Sequence, residues 1–151
     1  MSEDVASFDP TKHKYAYNLS KFTCFRKLTG KCSLDLSKDE VARYAVIEGV
    51  DHRDKYRNHQ SHSVHYCRLL AESIKLNGVT EYVWIHSSSC GHYSFTWGQH
   101  RTCIAKTIGI KDIPALIGSA WESECRVCYF IKTNPIFRLK HWFNMTEEFI
   151  R

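Results

Sequence analysis

The chain has 151 residues, 43% of them apolar, 13% aromatic and 25% charged, with only three prolines and seven glycines. That length and mix suit one folded domain with a single core, and they exclude a low-complexity, collagen-like or wholly disordered chain. Lys and Arg number 21 against 16 acidic residues, so the formal charge of +5 favours an anionic partner without specifying nucleic acid.

No stretch approaches 18 consecutive apolar residues, so no membrane span and no membrane partner are expected. Residues 1–20 carry Glu3, Asp4 and Asp9-Pro10 and lack the apolar run of a secretory signal. They are read as a loosely held arm, with a single domain over residues 21–151. Seven cysteines, an odd number scattered through core-like segments, read as reduced thiols, so a cytoplasmic protein is expected and a redox role stays open.

Along the chain, Lys21 to Leu36 has strand-like residues around Phe22, Cys24 and Phe25, broken at Thr29-Gly30. The apolar run from Val41 to Val50 fits a strand or a short helix, and a strand near Tyr44 to Glu48 is favoured. Val64, Cys67, Leu70, Ala71 and Ile74 recur at helical spacing, Arg68 and Glu72 can pair on the opposite side, and Asn77-Gly78 ends the helix. Glu81 to His86 and Tyr93 to Trp97 read as neighbouring strands joined by the polar loop Ser87 to Gly91. A second helix carries Ile104, Ala105 and Ile108 and stops at Gly109, and Ile113 to Ile117 is extended. Glu124 to Ile131 reads as another strand. A final amphipathic segment offers Phe137, Trp142, Phe143, Met145, Phe149 and Ile150 for packing. The fold class is α+β, a small mixed sheet flanked by helices.

The strand-to-helix turn at Gly98-Gln99-His100-Arg101-Thr102 carries the clearest chemistry. A glycine there permits a tight turn and close ligand approach, and the first N–H groups of the following helix lack intrahelical partners. Together with the helix dipole they form an anion cradle, to which His100 and Arg101 add charge-assisted donors. The alternative is a plain turn whose arginine is solvated.

Three stretches together resemble the ParB/sulfiredoxin superfamily: Leu70 to Gly78, Tyr93 to Arg101, and Gly109-Ile110-Lys111-Asp112-Ile113-Pro114-Ala115, with Ile104-Ala105 between the last two. The resemblance covers about residues 50–118. It implies a nucleotide-binding fold in which Gly98, Gln99, His100, Arg101 and Thr102 hold phosphates of ATP or CTP. It also implies phosphoryl transfer or hydrolysis as the favoured activity, with a DNA- or RNA-binding or nuclease protein as the alternative. A non-catalytic interaction module is the third reading. Gln99 stands where a sulfiredoxin has its nucleophilic cysteine, which argues against that activity unless Cys103 or Cys90 substitutes. Trp97 stands where related turns often have Asp.

Catalysis on phosphate needs a carboxylate near the turn. In the family such groups come from the segment before the long helix, which makes Glu48, Asp51 and Asp54 candidates for Mg²⁺ or general-base roles, and Arg53 or Arg57 candidates for a second phosphate contact. The alternative is a solvated, charged loop. His59, His62 and His65, with His52 near, are read as a surface cluster rather than metal ligands. Cys125-x-x-Cys128 has zinc or redox spacing and can pair with Cys24 and Cys32. Inside a strand, though, its thiols would face opposite ways, so buried cysteines and no bound metal are expected.

Overall fold

In a computed structural model the described residues are 4–48, 60–119, 124–143, 145 and 148–150. They form two compact units, residues 1–18 with 79–151, and residues 19–78.

The first unit is built on a mixed sheet of six strands: β1 (Ala6–Phe8), β2 (Lys14–Asn18), β3 (Val83–Ser87), β4 (His92–Trp97), β5 (Ile113–Ser119) and β6 (Glu148–Ile150). Their spatial order is β1-β5-β3-β4-β2-β6. β5 runs parallel to β3 and β2 parallel to β4, while the β1–β5, β3–β4 and β2–β6 pairs are antiparallel. The N-terminal segment is therefore not a loose arm. Tyr15 and Tyr17 alternate with polar Lys14 and Asn18 and are fully buried, which places that face of β2 in the core. Tyr17 stacks on Phe95 at 5.3 Å, Phe8 meets Tyr93 edge-on at 5.3 Å, and the buried Tyr15 hydroxyl donates to the Pro10 carbonyl at 2.9 Å. Burying each such ring contributes roughly 2 kcal/mol, which offsets the entropy lost in ordering the segment.

Helix α4 (Gln99–Ile108) follows β4 and buries Thr102, Ile104 and Ala105, with Gly109 closing its last turn. Helices α5 (Arg126–Thr133) and α6 (Pro135–Trp142) follow β5, joined at Asn134, whose side chain caps α6 by accepting from the Phe137 N–H. α5 replaces the strand expected over Glu124 to Ile131. Cys125 caps its start, Val127 is buried, and Cys128 and Ile131 follow at helical spacing on half-buried positions. Of the C-terminal side chains available for packing, Phe137 is half-buried, whereas Trp142, Phe143 and Met145 are exposed.

The second unit contains α1 (Phe25–Thr29), α2 (Lys38–Glu48) and α3 (Tyr66–Asn77). Two expected strands are helices. Over Lys21 to Leu36 the chain forms α1 and a 3-10 turn at Ser33–Asp35, because Phe25 anchors one helical turn and the Thr29 hydroxyl bonds back to the Phe25 carbonyl. Over Val41 to Val50, helix α2 starts from a capping box: the Glu40 carboxylate accepts from the Ser37 N–H at 2.8 Å and the Ser37 hydroxyl from the Glu40 N–H at 3.3 Å. Val41 and Tyr44 then pack on the core of Phe25, Leu36 and Val64. α3 forms where the apolar spacing predicts a helix and ends at Asn77 as expected, but it starts at Tyr66 rather than near Ser61 or Ser63, so Val64 precedes it. Arg68 does not serve a surface pair, because its guanidinium donates to the Ser33 and Leu36 carbonyls at 2.9 and 3.2 Å.

Candidate functional site: the α4 turn, a cavity and a thiol–imidazole cluster

The turn at the start of α4 has the backbone that its sequence predicts. Gly98 sits at φ +93° and its carbonyl accepts from both the Thr102 N–H and the Thr102 hydroxyl at 3.0 Å. The glycine has a steric cause, since a Cβ there would lie 2.6 Å from Val83 Cγ1 on β3. The side chains of the turn are engaged within the chain. Gln99 accepts from the Asn18 N–H at 2.8 Å and donates to its carbonyl at 3.4 Å, joining α4 to the end of β2. Arg101, only 16% exposed, pairs with the Glu81 carboxylate at 2.7 Å, donates to the Tyr82 and Glu81 carbonyls at 2.9 and 3.2 Å, and lies over the Trp97 ring. Thr102 is fully buried and His100 half-buried. Arg101 is thus neither the solvated residue of a plain turn nor a fork aimed at an open cleft.

Of the other expected residues, Glu48 closes α2 and its side chain lies outside the description. Asp51, Arg53, Asp54 and Arg57 lie outside the described residues, as do His52 and His59. The two described histidines of that group do not form a surface cluster. His65 is buried, and His62 Nδ1 lies 2.9 Å from the Phe22 carbonyl oxygen.

A cavity of about 550 Å³ opens over the first unit's sheet. Trp84, His86, Ser94 and Thr96 alternate along β3 and β4 with core positions such as Val83 and Ile85 and supply part of its lining, with Gln99, Cys125 and Arg126 adding more. His86 Nε2 and the Thr96 hydroxyl are 2.6 Å apart. Among the described residues, Arg126 is the only fully charged side chain lining it.

Beside this cavity four side chains converge. Cys90 and His92 flank Gly91, which takes φ +82° in the turn from β3 to β4. Cys125 and Cys128 come from the start of α5, one helical turn apart, so that both thiols face one side rather than the opposite faces expected of a strand. The partners of Cys125-x-x-Cys128 are therefore Cys90 and His92. Cys24 and Cys32 belong to the other unit. His92 Nδ1 lies 3.1 Å from Cys128 Sγ and 3.8 Å from Cys125 Sγ, and all four donor atoms lie within 4.8 Å of one another. Cys125 N–H donates to Cys90 Sγ and Cys128 N–H to Cys125 Sγ, each at 3.4 Å.

Burial governs the protonation of the cluster. It raises Cys125, and with the neighbouring thiols it pushes Cys128 up to about 12. At Cys90 burial acts the same way but is outweighed by N–H donors from Cys125 and His92 and by the adjacent thiols, leaving it below the usual thiol range. Burial, then the Lys14 charge, lowers His92 and favours neutral imidazole. Cys90 and His92 were not singled out as ligands in the sequence. The signal was a Cys-x-His pair matched with the Cys-x-x-Cys pair, invisible until the two segments are known to meet.

Neither a protein family, a curated protein nor a solved structure matches this chain. The resemblance to the ParB/sulfiredoxin superfamily thus rests on the residues named for it. Among the described residues, no helix is long and apolar enough to cross a membrane.

Proposed function

We propose that the chain binds a nucleotide in the cavity over the β3–β4 face. One observation carries this reading: the lining of the cavity combines the rings of Trp84 and Phe95, the polar side chains of His86, Ser94, Thr96 and Gln99, and the guanidinium of Arg126, a set that matches a planar base joined to a phosphate. Trp84 serves as the stacking surface, and the amide of Gln99 and the His86–Thr96 pair serve the ring or sugar. Arg126 meets the phosphate, at the first residue of α5. Relative to the expectation from sequence, the phosphate contact moves from Arg101 to Arg126, and of the turn only Gln99 keeps a ligand role. The seven free thiols fit a reducing, cytoplasmic setting.

Titrations of ATP, ADP, CTP and a short DNA, each at two salt concentrations, test the reading. Arg126→Ala should weaken nucleotide binding roughly ten- to hundredfold, as loss of a charge-assisted contact does, and Trp84→Ala should have a comparable effect. Arg101→Ala should leave it nearly unchanged. The reverse pattern, with Arg101→Ala abolishing binding and Arg126→Ala harmless, would return the phosphate to the turn. Weak nucleotide binding with steeply salt-dependent DNA binding would favour the nucleic-acid alternative.

A further inference from the structure

We propose that Cys90, His92, Cys125 and Cys128 bind one Zn²⁺ ion as a closed, structural centre. This is independent of the nucleotide reading.

The donor set comes first. Three thiols and one imidazole are soft to borderline ligands, and four of them converging without a carboxylate select zinc over magnesium or calcium. A tetrahedral zinc with bonds of about 2.3 Å to sulfur and 2.0 Å to nitrogen requires donor atoms separated by roughly 3.5 to 3.8 Å. The nitrogen–sulfur separation lies at the lower end of that range, so the His92–Cys125 distance of 3.8 Å needs to close by a few tenths of an ångström. The His92–Cys128 distance of 3.1 Å needs to open by a few tenths of an ångström, and the 4.8 Å limit on the whole set leaves the remaining pairs a short side-chain movement from it.

The backbone is arranged for the same end. Two ligands come from a tight turn, in which Gly91 N–H donates to the Ser88 carbonyl and Ser88 N–H to the His92 carbonyl, each at 3.0 Å. The other two come from the first turn of a helix 35 residues from Cys90. Two backbone N–H groups already aim at sulfur, as outer-sphere donors to thiolates do. Binding displaces the protons of three thiols to solvent, and three thiolates with Zn²⁺ leave the centre at −1, a charge that suits the positive end of α5.

Four protein ligands fill the tetrahedron, leaving no position for water or substrate, so the ion holds structure rather than performing hydrolysis. What it holds is the β3–β4 turn against the start of α5. Cys125 also lines the cavity, so the metal fixes one of its walls.

Metal analysis of the full chain purified without chelator from zinc-supplemented cells should find about one zinc per chain. Titrating Co²⁺ into chelated protein should give a thiolate-to-cobalt charge-transfer band with the strong visible bands of a tetrahedral site, bleached by stoichiometric Zn²⁺. Cys128→Ser and His92→Ala should each lose most of the zinc, while Cys24→Ser and Cys103→Ser keep it. Should the ligand variants fail to fold, a mercurial reagent applied to the wild type should release zinc measurable with a colorimetric chelator. Wild-type protein without metal and without the cobalt band overturns the proposal. So do zinc retained by both ligand variants, copper in place of zinc, and a mass two daltons low from a Cys125–Cys128 disulfide in freshly purified protein.

Discussion

Helices α4 and α5 begin in opposite ways. The first residues of α4 read from sequence as a ligand cradle, and the structure engages most of them internally: Gly98 fits against Val83, Gln99 joins β2, and Arg101 clamps the Glu81–Tyr82 segment. The first residues of α5 read from sequence as a strand whose Cys125-x-x-Cys128 spacing is better explained by buried cysteines, and there two cysteines meet a third and a histidine from a distant turn. A helix start offers unpaired N–H groups wherever it occurs. Whether it holds a ligand depends on what the rest of the chain delivers to it.

Perturbing the two helix starts separately sharpens this contrast. The largest effect should come from α5: chelating the metal should lower the Tm by roughly 10 °C, as loss of a few kcal/mol does in a chain of this size. Amide exchange should rise over Cys125–Thr133 and the 88–92 turn while α4 stays protected. Equal loss of protection in both helices would show that the metal is not a local clamp.

Next, Gly98→Ala should cost about 2–4 kcal/mol in denaturant unfolding, from a Cβ driven into Val83 and a left-handed backbone together. A second change, Val83→Ala, should recover only the steric share, because the backbone angle remains. A neutral Gly98→Ala would remove the packing explanation for this glycine.

Smaller again, Arg101→Ala should destabilise by about 1–2 kcal/mol through the lost carbonyl contacts and the Glu81 pair, discounted because the Glu81 side chain is 72% exposed. Arg101→Lys should recover part of it. No change in stability would make the arginine available to a ligand.

The smallest effect concerns neither helix start and serves as a reference. Lys31, then the Ser37 N–H, holds the Glu40 carboxyl down to about 2 from its ordinary 4.5. Its contribution should be complete above about pH 4.5 and be lost as pH falls toward 2. In Glu40→Gln that part of the acid dependence should disappear, seen as a flatter stability curve over this interval.

The readable parts of the sequence were those whose cause is local. The Asn77-Gly78 stop, the β3–β4 hairpin and the Trp97-Gly98 switch each depend on a few adjacent residues, and all appear as expected. Helix α2 was also locally coded, through Ser37-x-x-Glu40 and the 41/44/45 stripe, but a short apolar run hid it. The N-terminal strands were not legible, because Tyr15 and Tyr17 look like scattered aromatics until Phe95 and Tyr93 lie beside them. The same holds for the cluster: the Cys125-x-x-Cys128 spacing is visible in the sequence, but its role depends on a helix in place of a strand and on a partner turn 35 residues away.

The strand order also bears on how the chain comes to be folded during synthesis. β1 pairs with β5 across more than a hundred residues, and β2 lies between β4 and β6, so the first strands made are partnered only by later ones. Residues 19–78 are contiguous and are synthesised in full before β3. While the ribosome extends from there, Ala6–Asn18 has no sheet to join, and closing so long a loop makes its docking a late and slow event. In that interval the apolar strand edges of the nascent chain are open to non-native pairing, the stage at which a chaperone would have the most to hold.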